Sequence, residues 1–253
     1  MTVRDLGLPL LSHPNPSCWA AVGVCLLGMG CHGTLPEPEG DGAYLRGRFH
    51  NLLGIGIGEV EICSRGEESL CTQSDSEGNF LIEGLPASRD LRVTLDKEGF
   101  FPTTLPHFSE DTEPPWEKSL LTTGNMQTVA NRVDKTLDPN MGHLSFMVHQ
   151  QHFREEKVDQ TKGVKFRIEP DPGVDLFFLN SFQLPSPDLT ETTGAGGGGA
   201  LNLPPGEYEL ILEQVGGECS RIISWDFEPG TRVPFPIEAG RSTYFDVLCP
   251  QAE

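Results

Sequence analysis

What most limits the folds open to this chain is the stretch Asp75-Ser76-Glu77-Gly78-Asn79-Phe80-Leu81-Ile82-Glu83-Gly84-Leu85-Pro86. Asp75 and Ser76 favour a turn, because their short side chains bond nearby backbone amides. Gly78 can take a positive φ at no steric cost, which suits a turn that ends in a glycine bulge and joins antiparallel strands. Phe80 and Ile82 then fall on one face of a strand by period two, and Leu85-Pro86 ends it. Leu91, Val93 and Leu95 alternate with Arg92, Thr94 and Asp96, the pattern of a half-buried strand. Gly99-Phe100-Phe101-Pro102 closes the unit. A related stretch returns as Gly199-Ala200-Leu201-Asn202-Leu203-Pro204-Pro205-Gly206-Glu207-Tyr208. The repeat predicts two similar β-rich modules.

The chain has 253 residues, enough for one large or two ordinary domains. Its 29 glycines and 21 prolines, with few helix-forming runs, favour many short strands. The formal net charge of −19 argues against binding nucleic acid, whose phosphates need Lys and Arg, and against docking on an anionic membrane surface.

In the first module Leu45, Phe49, Val60 and Ile62 read as inward-facing. Gly54-Ile55-Gly56-Ile57-Gly58 has the glycines of a nucleotide loop but no following helix, so it reads as a loop. A polar loop is predicted over 103–115, a strand over 116–121, and a helix over 125–134 with Met126, Val129 and Val133 on one side. In the second module Leu144, Phe146 and Val148 face inward, and His143, Ser145, Met147 and His149 face outward to solvent. Val164, Phe166 and Ile168 repeat the scheme. A long loop is predicted over 184–199, its Gly196–Gly199 run a flexible tip. Strands follow at Tyr208–Leu212, Cys219–Phe227, Val233–Ile237 and Ser242–Leu248.

The parts Ala43 to Phe49, Val60-Glu61-Ile62, Asp75 to Phe80, Leu85-Pro86-Ala87 and Gly99 to Pro102 resemble the carboxypeptidase regulatory-like family. Ser88 to Asp90 replaces the family's Gly and aromatic, and the second copy restores both as Pro205-Gly206-Glu207-Tyr208. The resemblance implies an all-β fold. It further implies two transthyretin-like (prealbumin-like) antiparallel β-sandwiches, expected over 43–122 and 140–250 and joined by a short helical connector, 123–139. The family's motifs specify a fold and carry no chemistry.

The apolar run Trp19 to Gly30 is too short to span a bilayer and suits a signal-peptide core over 1–30. It ends Leu26-Leu27-Gly28-Met29-Gly30-Cys31, similar to the lipobox of bacterial lipoproteins, which makes Cys31 the lipid attachment residue. The run also fits an ordinary secretory signal cleaved near Gly33. Residues 31–42 then form an acidic, Pro/Gly-rich tether. Removing 1–30 takes away Arg4 and Asp5 together, so the mature charge stays at −19.

Of seven cysteines, Cys18 and Cys25 leave with the signal and Cys31 takes lipid, leaving four for disulfides in an oxidising compartment. Cys63 and Cys71 are reflected about Glu67 in a predicted hairpin, at a spacing a disulfide can use. Cys219 and Cys249 share the inward phase of two late strands and pair with each other. A four-Cys zinc site is the alternative, though no C-x-x-C is present.

His107-Phe108-Ser109-Glu110 and His152-Phe153-Arg154-Glu155 both read H-x-x-E, which supplies two zinc ligands in metallocarboxypeptidases. The chain lacks room for that enzyme's large α/β domain, and both read as chance. His143, His149 and His152 read as surface residues. Glu67-Glu68 and Glu110-Asp111 offer at most weak calcium binding. An iron site like that of intradiol dioxygenases needs paired Tyr and His, but Tyr44, Tyr208 and Tyr244 sit on separate strands. The expectation is a non-catalytic, exported cell-envelope lipoprotein, a structural or interaction module at the outer membrane or cell surface, without metal or cofactor. Its partner is an envelope protein or glycan, the lipid anchor reaches the membrane, and nucleic acid is no partner. The alternative is a carbohydrate- or peptide-binding protein using loops 103–115 and 184–199, periplasmic or secreted.

Overall fold

A computed structural model describes residues 35–39, 42–66, 70–109, 115–150 and 160–252. The expected signal peptide, Cys31, Glu67-Glu68, Glu110-Asp111 and His152 lie outside the described residues. The chain from residue 35 onward belongs to one compact unit.

The described residues are mostly β-sheet, with one helix. The first half contains β1 (Ala43–His50), β2 (Glu61–Arg65), β3 (Leu70–Gln73), β4 (Asn79–Leu85), β5 (Asp90–Asp96), β6 (Thr103–Phe108) and β7 (Trp116–Ser119), followed by α1 (Thr123–Arg132). The second half contains β8 (Gly142–His149), β9 (Lys165–Glu169), β10 (Leu176–Leu179), β11 (Pro185–Ser186), β12 (Gly197–Leu203), β13 (Gly206–Glu213), β14 (Ser220–Ile223), β15 (Arg232–Ile237) and β16 (Ser242–Leu248).

The turn expected at Asp75 forms as its chemistry requires. Asp75 Oδ1 accepts the amides of Glu77 at 2.9 Å and Asn79 at 2.8 Å. Gly78 takes φ 86° and packs so closely on β1 that a Cβ there would meet the Phe49 carbonyl oxygen at 2.1 Å. Phe80 and Ile82 follow, both buried.

The sheets are not two separate antiparallel pairs. One ten-stranded sheet runs β11-β10-β12-β8-β16-β6-β5-β2-β3, with β14 also paired to β16, and so passes through both halves. Two three-stranded sheets, β4-β1-β7 and β15-β13-β9, complete the set. The halves join where β16 pairs in parallel with β6 through Ser242–Thr103 and Thr243–Thr104, and β16 is also parallel to β8. Leu85-Pro86 and Leu203-Pro204 each carry the chain from one sheet to another, in opposite senses.

Ladder partners point to the same face of a sheet, so register shows where each core lies. Thr243, Phe245 and Val247 pair with Thr104 or with Leu144, Phe146 and Val148; Phe245 and Val247 enter the core that also holds Phe166, Leu210 and Phe235. Ser242 pairs with Thr103, which shares its face with Leu105, and Leu105 enters the core that holds Leu45, Phe49, Ile62 and Val93. The two cores therefore lie on opposite faces of the shared sheet. On the face of the first core, α1 covers the second half: Met126 and Ala130 pack on Phe177 and Leu201.

The helix begins at Thr123 rather than Asn125, because Thr122 is a good N-cap. Its hydroxyl accepts the Asn125 amide at 3.1 Å, and Asn125 Oδ1 accepts the Thr122 amide at 3.1 Å. It packs on the sheet, while the sheet itself joins the halves.

Two loop expectations are corrected. Residues 103–108 are strand β6, whose alternation was masked by Thr, Pro and His in place of aliphatic residues. Within 184–199, β11 and the start of β12 are strand, and Gly197–Gly199 are buried between β8 and β10. A Cβ on Gly199 would meet the Leu144 carbonyl oxygen at 2.2 Å, so these glycines permit close approach.

Candidate functional site

Four of the expected site residues are paired as foreseen. Cys63 faces Cys71 across the β2–β3 ladder, and they form a disulfide. Cys219 and Cys249 form the second, buried in the second core. The four-cysteine zinc alternative is thereby set aside. Lipid attachment at Cys31 falls outside the described residues.

Two of the three histidines expected on the surface are not there. His143 and His149 are buried, because α1 and β7 cover the face that period two left outward. His143 Nδ1 accepts the Asn202 amide at 3.1 Å, and burial lowers its pKa to about 4. His107 of the first H-x-x-E is buried edge-on to Trp116, at a ring separation of 4.9 Å. Burial, and then the charge of Arg221, lower its pKa to about 3. Glu110, its expected companion, lies outside the described residues, as does the 152–155 pair. Among the described residues no cluster of three His, Cys, Asp or Glu is placed to hold a metal ion.

A cavity lies between β7 and α1, over the face of the shared sheet opposite the second core. It has a volume of about 520 Å³ and is lined by Phe101, Leu105, Met126, Val129 and Phe177. Lys118 and Tyr244 line it as well. Strand geometry places this polar pair. Trp116 points from β7 into the first core, so Lys118, two residues on, points the same way. On β16, Tyr244 and Asp246 share the face opposite Phe245 and Val247, and Asp246 is completely buried.

Lys118 Nζ is in direct contact with Asp246 Oδ2. The other oxygen, Oδ1, accepts the Tyr244 hydroxyl at 2.7 Å and lies 3.1 Å from His149 Nε2. The ammonium also sits 4.4 Å from the centre of the Tyr244 ring. Burial pushes the Asp246 carboxyl up, but the Lys118 charge and the His149 hydrogen bond outweigh it and hold it below the usual carboxylate value. Burial, then the Asp246 charge, drive the Tyr244 phenol well above its ordinary range. Sequence reading missed this cluster. Its one signal was an acidic residue inside the apolar run Tyr244-Phe245-Asp246-Val247-Leu248.

On the opposite face of the joint, Arg241 forks onto Asp96, with Nη1–Oδ1 at 2.8 Å and Nη2–Oδ2 at 3.0 Å. Its Nη2 also donates to the Thr103 carbonyl at 2.8 Å and its Nε to the Thr104 hydroxyl at 3.1 Å. Trp225 Nε1 donates to the Leu91 carbonyl at 2.9 Å. The first half is thus bonded to the second on both faces of the sheet.

No protein-family model matches the chain, and no curated protein does. Among solved structures the chain is similar to a minor pilin of Streptococcus agalactiae, GBS52, at 11% identity and TM-score 0.29, covering 83% of this chain and 96% of that one. It is similar to the shaft pilin SpaA of Lactobacillus rhamnosus GG at 11% identity and TM-score 0.25, covering 84% and 98%. The major pilin T3.2 of Streptococcus pyogenes gives 8% identity and TM-score 0.28 over 84% and 99%. At these scores the likeness carries no argument about function.

Proposed function

We propose that this chain is a non-catalytic, exported module of the cell envelope that holds an interaction surface at a fixed distance from its attachment point. In this reading the two cores are two transthyretin-like sandwiches that share a sheet, and Cys31 carries the lipid. The observation that carries the proposal is an exposed apolar tip. Leu52, Leu53 and Ile55 are 65%, 83% and 61% exposed, although they fall within four consecutive residues. The tip is held in shape: Asn51 Oδ1 accepts the amides of Leu53 at 2.9 Å and Ile55 at 3.0 Å. It follows the end of β1, whereas the proposed tether enters at the start, roughly 25 Å away along the strand. Clustered apolar side chains kept in water mark contact sites.

A photo-crosslinking residue at position 53 in the full chain, used in intact envelopes, tests this. One recurrent envelope protein or glycan adduct is expected, and it should disappear when Leu52 and Ile55 are changed to Ser. If position 53 gives only the adducts seen from position 66, the proposal fails. The mass of the membrane-extracted chain tests lipidation at Cys31.

A second reading, binding of a carbohydrate or peptide, is favoured by the 520 Å³ cleft and by Phe182, which is 81% exposed beside it. Glycan and peptide arrays read this directly. Saturable binding that is lost in Phe182→Ser but kept in a Leu53/Ile55 double serine variant, whose two residues lie outside the cleft lining, would favour it over the first reading.

A further inference from the structure

We propose that Lys118 and Asp246 become joined by an amide bond between their side chains, so that the mature chain carries a covalent link between its two halves. The contacts needed for the reaction are already made. The Lys118 nitrogen touches the Asp246 carboxylate, and the two residues lie 128 positions apart in the chain. Asp246 is 0% exposed and Lys118 12%, whereas the carboxylates of the other ion pairs among the described residues are at least 25% exposed. Tyr244 and His149 both address Oδ1, the oxygen that remains as the amide carbonyl.

The step balances within the pair. The Lys118 nitrogen gives up two protons and attacks Cγ of Asp246. Negative charge collects on Oδ1, where the Tyr244 hydroxyl and the His149 N–H are placed to stabilise it by hydrogen bonding. The Cγ–Oδ2 bond breaks, and Oδ2 leaves with those two protons as water. The nitrogen keeps its third hydrogen as the amide N–H. No oxidant, metal or other reactant is required.

Two physical effects favour the product. A buried ion pair is costly, because both charges forfeit their hydration. A neutral amide replaces it at much lower cost, and the water released passes to bulk solvent. β7 and β16 also hold the nitrogen against the carboxylate, which supplies the large rate advantage of an intramolecular reaction.

The test is the mass of the purified full chain after complete reduction and alkylation, followed by proteolysis. The expected mass is lower by one water than the mass calculated for the same chain in its alkylated form. A branched peptide should join the segments around residues 118 and 246, and trypsin should fail to cut after Lys118. Lys118→Arg and Asp246→Ala should keep their full masses. Asp246→Asn should reach the wild-type final mass by losing ammonia instead of water. A full wild-type mass with normal cleavage after Lys118 overturns the proposal, and so does water loss without the branched peptide, which would mark cyclisation of a single aspartate. Because the wild-type reading is decisive, a variant that fails to fold leaves the test intact.

Discussion

The two halves use the same strand alternation, yet their strands meet different surroundings. In the first half β2 and β5 bury one face well and leave much of the other open, so β2 reads exposed, buried, half-buried, buried, exposed. In the second half β8, β12 and β16 are buried on both faces, by the β15-β13-β9 sheet on one side and by α1 and β7 on the other. A strand covered on both faces loses its alternation and must satisfy size on each side. That is why β12 is built of glycine where it passes Leu144 and Phe177, and why histidines placed outward by period two end up buried.

The comparison breaks most sharply at Gly199. Gly199→Val should destabilise the chain by roughly 3 kcal/mol or more, because the new side chain drives into backbone that cannot move aside. Gly66→Ala, where a Cβ meets nothing within 4 Å, should change the chemical-denaturation midpoint little. Equal effects would show that the second half is not packed on both faces.

The disulfides sharpen the same contrast. Cys219–Cys249 spans 30 residues inside a core, and Cys63–Cys71 spans 8 across an exposed ladder. Loop-closure entropy alone gives about 3.6 and about 2.5 kcal/mol. Removing the buried pair as a double alanine variant should therefore cost at least about 1 kcal/mol more, measured by urea unfolding, and a smaller cost would deny its place in the core.

Each half also holds a buried neutral histidine, His107 in the first and His143 in the second. Their folded values of about 3 and about 4 lie below the ordinary 6.5. Above pH 6.5 neither group affects stability. As pH falls below 6.5 the unfolded chain takes up protons that the folded chain refuses, so stability drops by about 1.4 kcal/mol per pH unit for each histidine. The loss continues to about pH 4 for His143 and about pH 3 for His107. His107→Phe should remove its share of the slope, seen in melting temperatures between pH 6.5 and 4.5. An unchanged slope would mean that His107 titrates freely.

The smallest effect is expected at the joint. Arg241→Lys keeps the charge but loses the fork on Asp96, for roughly 1 kcal/mol. Calorimetry of this variant should still show one transition. Two separated transitions would mean that the Arg241 clamp, rather than the sheet, couples the halves.

Local chemistry made much of the fold legible. The Asp75–Gly78 turn, the inward sets Leu91/Val93/Leu95 and Leu144/Phe146/Val148, the helix after Thr122 and both cysteine pairs rest on contacts between near neighbours or on strand phase. The polar cluster was not legible, because nothing in a lysine between Glu117 and Ser119 says which strand passes beneath it.

The sequence by itself determined that this chain forms short alternating strands around glycine turns, since backbone conformation and side-chain period are settled within a few residues. Only the tertiary structure decided that the strands join into one sheet with its cores on opposite faces, and that Lys118 meets Asp246. Parallel pairing of β16 with β6 and β8 joins residues far apart in the chain, and register across such distances is selected by burial of whole faces, which no local pattern encodes.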